Sequence, residues 1–364
     1  MRKIRKFGLI NLIALVLVVL ILSFIPSATV ILKNNSDVDI LENEEEYCGI
    51  IEIWHIDSFE GGTTSKEFYL NSVSNAFMKG HKGTYVHITN LSVDGLINNL
   101  NNNKLPDIFS FGSGIGEYIK EYIKEISLKN DLVFKNLLES GEISGVQYSI
   151  PYTLGLYFIF TTEENLINAG ASIDMNLITE FNNCGYSYKT RKNTVEVKSI
   201  TYGENDYISP LASLYYSNNS KKTELKSEML PYDAYAGFVG FNTSTLLLGT
   251  HRDLARLVQK QNMGKLQGLV SYPLDSYTDL VQYIAISRSG DSVREKLSEE
   301  YLNLCLLEEN QKQLSQIGML PVINLNIYSE DGYYMAFEKS FKESTIIPNC
   351  FETLNDRDIR KNMY

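Results

Sequence analysis

The sequence predicts an α/β fold in which a mostly parallel, doubly wound sheet is flanked by helices. Short β-type runs at residues 50–54, 85–89 and 107–111 alternate with segments whose apolar residues recur at helical spacing. Glycine-rich polar loops follow the first and third runs. Such β-α-β-α-β-α alternation is typical of parallel strands joined by right-handed helical crossovers.

The helices and strands can be justified in order along the chain. After the first strand, Thr64 and Glu67 match a capping box, which places the start of a helix there and limits the preceding loop to residues 55–63. Apolar residues at helical spacing then predict a helix over residues 93–100. Residues 175–230 show little periodicity. The later predicted elements are strands at 245–248 and 280–286 and helices at 291–307 and 309–317.

The N-terminus predicts export across a membrane. A basic segment, residues 1–6, precedes an apolar run at residues 7–25, and a polar, acidic tether follows at residues 26–47. The run lies between the usual length of a signal-peptide core and the ~20 residues of a spanning helix. We therefore expect either a transmembrane anchor or a cleaved signal peptide. Basic residues before the run place the remainder on the extracellular face of the cell membrane.

The composition argues against a nucleic-acid partner and against a zinc site. The net charge of −11 and the pI near 5.0 argue against a nucleic-acid partner, because such proteins usually present a basic face. The four cysteines lie far apart, at 48, 184, 305 and 350, so no zinc motif is present and disulfide pairing stays open. Nothing in the sequence brings the pairs His55/Asp57 and His251/Asp253 together, so neither a metal nor another cofactor is predicted.

Six stretches in order along residues 50–322 carry a family resemblance. They are "WHIDSFEGGT", "AFMKGHKGTYVHI", "LPDIFSFGSG", "YSIPYTLGLYFIFTTEENLINAG", "LLLGTHRD" and "NQKQLSQIGMLPV". In this order they resemble the extracellular solute-binding proteins of ABC importers, in the carbohydrate branch that includes maltodextrin binders. The chain departs from that pattern in having no lipobox cysteine and a single Trp.

The resemblance implies a two-lobed, periplasmic-binding-protein-like fold with a ligand cleft between the lobes. It implies hinge closure on a small solute, most often a sugar or oligosaccharide, and delivery to the transmembrane subunits of an ABC permease. It implies no catalysis. The expected first lobe is residues 48–150 plus 279–318, and the expected second lobe is residues 151–278 plus 319–364.

Candidate ligand-binding residues lie where strands end, because ligands of such sheets bind beyond the carboxyl ends of the strands. They are Trp54, His55, Asp57, Gly61, Gly62, Thr63, Gly112, Ser113, Gly114, Tyr152, Tyr157, Thr250, His251, Arg252, Asp253, Tyr277 and Asp279. The glycines would bring backbone N–H groups close to a ligand. Arg252 would clamp a carboxylate or a sugar diol, and Asp253 would be a helix-end carboxylate.

Alternatives remain open for several of these residues and for the function. Trp54 is also explained as a core residue, His55 and Asp57 as a structural turn, and Tyr277 and Asp279 as hinge packing. A membrane-tethered ligand sensor would use the same fold. A surface hydrolase is less favoured, because no G-x-S-x-G elbow and no obvious nucleophile are present. "HRDL" at 251–254 resembles a kinase catalytic loop, but the other kinase motifs are missing.

Overall fold

The structure is a computed structural model that describes residues 47–127, 132–172, 176–218, 229–325, 337 and 339–354. The predicted basic segment, the membrane run and all of the tether before Tyr47 lie outside the described residues. Within the described ranges, no helix is both long and apolar enough to cross a membrane. Residues 47–364 form one compact unit.

Twelve strands are described: β1 Gly49–Ile56, β2 Thr84–Asn90, β3 Ile108–Gly112, β4 Glu142–Ile143, β5 Val146–Gln147, β6 Ile150–Leu154, β7 Tyr157–Thr162, β8 Tyr186–Lys189, β9 Thr194–Tyr202, β10 Ser244–Thr250, β11 Leu269–Leu274 and β12 Val281–Ile286. The described α-helices are α1 Lys66–Gly80, α2 Val93–Asn101, α3 Gly116–Ile119, α4 Lys135–Glu139, α5 Glu163–Asn168, α6 Leu177–Glu180, α7 Pro210–Ser217, α8 Pro231–Ala236, α9 His251–Asn262, α10 Ser292–Cys305 and α11 Glu308–Gln311. Phe181–Asn183 and Lys312–Ile317 are 3₁₀-helices, and Gly237–Phe241 is a π-helix.

The strands form two five-stranded sheets, one in each lobe, and the short hairpin β4–β5. The first lobe has the order β2-β1-β3-β12-β6 and the second has β11-β7-β10-β9-β8. These sheets and their helices confirm the two-lobed α/β fold. The sheets are nevertheless mixed rather than mostly parallel, since β12 and β6 run antiparallel to their neighbours and only β9–β10 is parallel in the second lobe.

The mixed strand directions follow from how the chain crosses between the lobes. β6 ends the first sheet at Leu154, and β7 begins the second at Tyr157. The return crossing leads from β11 to β12. β12, which follows this return crossing, therefore runs in the opposite direction to β1, β2 and β3, which are joined by helices. In addition, β8 and β9 form an antiparallel hairpin in the region that lacked a sequence pattern.

Helix α1 begins at Lys66 rather than in a capping box at Thr64 and Glu67, so that prediction was wrong. Ser65 is the N-cap residue and makes no side-chain capping hydrogen bond. Glu67 instead accepts a hydrogen bond from the Asn90 side chain at 2.7 Å. The side chain of the first helical residue, Lys66, is buried and contacts the loop that precedes the helix.

The described C-terminal residues, expected in the second lobe, contact both lobes. Leu320 pairs with Leu154 and Ile323 with Val133, both in the first lobe. By contrast, Phe337 packs against Phe158 of the second lobe. All four cysteines are free, and only Cys48 is exposed.

The hinge is organised around the buried carboxylate of Asp279, at the end of the return crossing. It accepts hydrogen bonds from the Tyr157 hydroxyl at 2.5 Å, the Ser209 backbone N–H at 2.8 Å and the Tyr277 hydroxyl at 3.1 Å. The three donors belong to different segments around the hinge. The geometry favours hinge packing for Tyr277 and Asp279.

Replacing Asp279 should destabilise the protein far more than replacing a nearby exposed carboxylate. Asp279→Ala removes the acceptor of three buried hydrogen bonds, so we expect a loss of about 3 kcal/mol in the free energy of unfolding. Asp275→Ala, which removes a partly exposed ion pair with Lys342, is the control and should cost under about 1 kcal/mol. Urea denaturation measures both, and equal costs would contradict this account of the hinge.

Candidate functional site

A pocket of about 410 Å³ lies between the two lobes at the carboxyl end of β1. The first lobe contributes the loop that follows β1, and the second lobe contributes residues from around β9, α8 and α9. Its lining consists of Asp57, Ser58, Phe59, Glu60, Asn205, Ile208, Leu230, Pro231, Tyr232, Thr250, Asp253 and Arg256. This is where ligands bind in open α/β sheets.

The loop is held from below by the ammonium group of Lys66, whose side chain is fully buried. Lys66 Nζ lies 2.9 Å from Asp57 Oδ1, donates a hydrogen bond to the Phe59 carbonyl and lies 3.5 Å from the centroid of the Phe59 ring. Burial lowers the pKa of Lys66, and the Asp57 charge opposes that shift. One buried cation thus fixes both the first and the third residue of the loop.

Asp57 is the exposed end of this arrangement, with 43% of its side chain accessible. Partial burial alone would raise its pKa, but the Lys66 charge and a hydrogen bond from His55 outweigh burial and hold the pKa well below its usual range. Asp57 therefore presents an ionised, pre-oriented acceptor to the pocket.

His55 and Tyr152 lie beneath the pocket rather than in it. His55 Nε2 is 3.1 Å from Asp57 Oδ1, and Nδ1 is 2.8 Å from Ser110 Oγ. Ser110 Oγ in turn lies 3.1 Å from the Tyr152 hydroxyl and accepts a hydrogen bond from Gln282 at 3.3 Å. Both candidates are nearly fully buried, so this network orients Asp57 from behind.

The loop is docked so closely that glycine is required at two positions. A Cβ on Gly62 would lie 2.2 Å from the Gly318 carbonyl oxygen, and one on Gly61 would lie 2.1 Å from the Thr64 carbonyl oxygen. Thr63 donates its backbone N–H to the Ile317 carbonyl at 2.8 Å. Gly62 therefore serves close packing against the end of the late 3₁₀-helix, Gly61 allows the loop to fold back on its own backbone at Thr64, and the Thr63 N–H is already paired.

Helix α9 carries the groups that face the loop from the second lobe. Arg256 pairs with Glu60 at 2.9 Å, and Arg252 donates a hydrogen bond to the Gly62 carbonyl. Asn205 Nδ2 donates to the Ser58 carbonyl at 2.9 Å. The described conformation therefore brings the lobes together through ion pairs of Glu60 with Arg256 and, at 3.7 Å, with Arg252, and through two hydrogen bonds to loop carbonyls.

Thr250 and Asp253 form a capping box at the start of α9. Arg252 N–H donates to Thr250 Oγ1 at 3.2 Å, and Thr250 N–H donates to Asp253 Oδ2 at 3.0 Å. Burial raises the pKa of Asp253 to about 6, opposed by the Thr250 N–H and Arg256. These interactions fix the direction of α9 and thereby the positions of its arginines.

His251 lies between the lobes as a buried, uncharged ring. Its imidazole meets the Phe59 ring edge-on at 6.0 Å and stacks on Phe337 at 5.9 Å. Burial lowers its pKa to about 3, helped by the Lys66 charge.

Other candidates lie away from the pocket lining. Trp54 is 4% exposed, with its ring edge-on to Phe109, which favours the core interpretation. Ser113 is buried, and Gly114 donates its N–H to the Cys350 carbonyl at 3.1 Å. Gly112 lies directly below Ser58, since a Cβ there would fall 1.8 Å from Ser58 Oγ.

Nine lining residues lie outside the predicted candidates, among them Glu60, Asn205, Tyr232 and Arg256, and Lys66 beneath the loop was also missed. Lys66 gives no signal, because a lysine at a helix start is usually solvated. Asn205 lies in the stretch without periodicity, and Tyr232 lies just after it, before the next predicted strand. Arg256 lies one helical turn after the candidates Arg252 and Asp253, so extending the helical face would have found it.

Several solved structures share this fold across most of the chain. The sugar-binding protein MalE from the phytopathogen Xanthomonas citri matches with a TM-score of 0.62 at 12% identity, over 86% of this chain and 90% of that one. The GacH receptor of Streptomyces glaucescens matches with 0.58 at 12%, over 87% and 92%. A Streptococcus pneumoniae solute-binding protein in complex with the blood group A-trisaccharide matches with 0.58 at 14%, over 87% and 95%.

No protein-family model matches the sequence, and no curated protein matches it significantly. The solved structures nevertheless confirm the fold that the sequence resemblance implied. At these identities the likeness establishes the fold alone.

The buried His251 should make stability fall in acid. Its folded-state pKa lies below the ordinary 6.5, so its contribution to stability is complete above pH 6.5 and is lost as pH falls toward 3. Asp253 has the opposite sign: its pKa is raised from 3.8 to about 6, so its contribution is complete below pH 3.8 and is lost as pH rises through 6. Comparison with His251→Phe isolates the histidine.

Relative to His251→Phe, the natural protein should lose about 1.4 kcal/mol of unfolding free energy for each pH unit between 6.5 and 4. Phenylalanine keeps the ring contacts with Phe59 and Phe337 and cannot be protonated. Chemical denaturation at several pH values measures the difference. Parallel pH profiles for the two proteins would contradict the buried, neutral state of His251.

Proposed function

We propose that the protein is the extracellular solute-binding component of an ABC importer and captures a carbohydrate in the pocket between its lobes. The observation that carries this proposal is the position of the pocket. It lies at the carboxyl end of β1, is walled by both lobes, and occurs in a fold shared with structures described as sugar-binding or saccharide-bound. The proposed role is binding and release, without catalysis.

The chemistry of the pocket suits an uncharged polyhydroxylated solute. Its charged groups are already neutralised by one another: Asp57 by Lys66, and Glu60 by Arg256. Ionised Asp57 remains half exposed as an acceptor for hydroxyl groups.

An aromatic platform is also present in the pocket. Tyr232 lines the second-lobe side and is 67% exposed, so its ring is accessible to a sugar face. Tyrosine combines an apolar ring with a hydroxyl group, which suits a ligand that is apolar on one face and polar at its edge. Asn205 adds an amide close to the loop.

Hinge closure would explain the polar contacts that join the two lobes across the pocket. The Glu60–Arg256 pair and the hydrogen bonds to the loop carbonyls can form only when the lobes are together, so a solute that fills the pocket would stabilise that state. The predicted N-terminal export segment would hold the protein at the outer face of the membrane, beside the permease that receives the solute.

A panel of soluble sugars tests the proposal by thermal stability. We expect at least one oligosaccharide among maltotriose, mannotriose and triacetylchitotriose to stabilise the protein, by about 2.7 kcal/mol at 100-fold excess over its dissociation constant. Tyr232→Ala should abolish the shift without lowering the melting temperature of the free protein, because its side chain is exposed.

Tyr85→Ala is the matched control, since Tyr85 is equally exposed but lies on β2, outside the pocket lining. It should leave the sugar-dependent shift unchanged. A shift that survives Tyr232→Ala, or turnover of any bound sugar, would contradict the proposed site or the absence of catalysis.

A further inference from the structure

A second cavity, of about 370 Å³, lies in the second lobe at the opposite end of β10 from the cleft. The cleft is lined by Thr250, the last residue of β10, whereas this cavity is lined by Asn242, just before β10 begins. Seven strand residues separate two such points by roughly 20 Å. The volume falls in the range of small-molecule sites. We call it the distal cavity.

Two charged side chains of opposite sign line the distal cavity. Glu164 lies on α5, and Lys265 lies in the segment after α9. Neither has an ion-pair partner within 4.0 Å among the described residues. The cleft differs in this respect, because its carboxylates are paired with Lys66 and Arg256. The distal cavity thus offers one cation and one anion that are free to meet charges on a ligand.

The remaining lining supplies amide groups and an apolar floor. Asn242 and Gln267 contribute side-chain amides, and Phe238, which is 4% exposed, contributes a buried ring. The π-helix Gly237–Phe241 and the left-handed conformation of Asn242, at φ 48°, shape this wall. Both are uncommon conformations that concentrate at functional sites.

We propose that the distal cavity is a second binding site, separate from the cleft, for a zwitterionic ligand between a free amino acid and a dipeptide in size. The ligand carboxylate would pair with Lys265 and its ammonium group with Glu164. The amides of Asn242 and Gln267 would bind a peptide unit, and an aliphatic side chain would pack on Phe238. A neutral sugar would leave both charges unpaired, which distinguishes this site from the cleft.

Calorimetric titration of the full-length protein with glycyl-leucine tests the proposal. We expect one saturable site whose affinity falls at least tenfold in Lys265→Gln and in Glu164→Gln, since each variant removes a charge-assisted contact. N-acetyl-glycyl-leucine amide, which lacks both charges, should bind at least tenfold more weakly than glycyl-leucine. Lys265 and Glu164 are both exposed, so the two variants should melt at the temperature of the natural protein.

Matched controls are available beside each residue. Lys260→Gln and Glu163→Gln remove a like charge close in sequence but outside the cavity lining, and both should keep full affinity for glycyl-leucine. Tyr232→Ala, in the cleft, should also keep it, whatever the outcome of the sugar panel. The proposal is overturned if glycyl-leucine gives no binding at millimolar concentration, if the blocked peptide binds equally well, or if Tyr232→Ala abolishes binding.

Discussion

The cleft depends on a single buried cation. Lys66 pairs with Asp57 and donates to the Phe59 carbonyl, so the loop after β1 is held by a lysine that has no contact with solvent. Burying an ammonium group is costly unless it is paired and hydrogen-bonded, and both conditions are met here. The consequence is a loop of fixed shape, with an ionised carboxylate at its edge and carbonyl groups turned toward the second lobe.

That fixed loop explains the arrangement of the second lobe around it. The capping box at Thr250 and Asp253 directs α9 at the loop, and the arginines of α9 then reach Glu60 and the Gly62 carbonyl. The buried ring of His251 fills the space between the lobes. These contacts join the loop to α9 across the pocket, and Asp279 ties the segments that cross between the lobes together.

Much of the fold could be predicted from sequence, because strands and helices have periodic apolar patterns and the order of the β-α units fixes the strand ends. The loop after β1 was expected at residues 55–63, whereas β1 ends at Ile56 and α1 begins at Lys66, so the prediction was about two residues off at each end. Lys66 could not be predicted, because its burial results from tertiary packing against Asp57 and Phe59. Asn205 was missed because it lies where the sequence has no period, and Tyr232 because it lies between that stretch and the next predicted strand. The mixed strand directions depend on crossings between lobes, which local patterns do not record.

The most direct test of the central claim is the affinity of Lys66→Met for the sugar that stabilises the natural protein most. Methionine fills similar volume without a charge, and melting of the free variant would establish that it folds. If Lys66 fixes the binding loop, the affinity should fall at least tenfold, because Asp57 and the Phe59 carbonyl lose their common partner. Unchanged affinity in a folded Lys66→Met protein would show that the loop does not form the solute site.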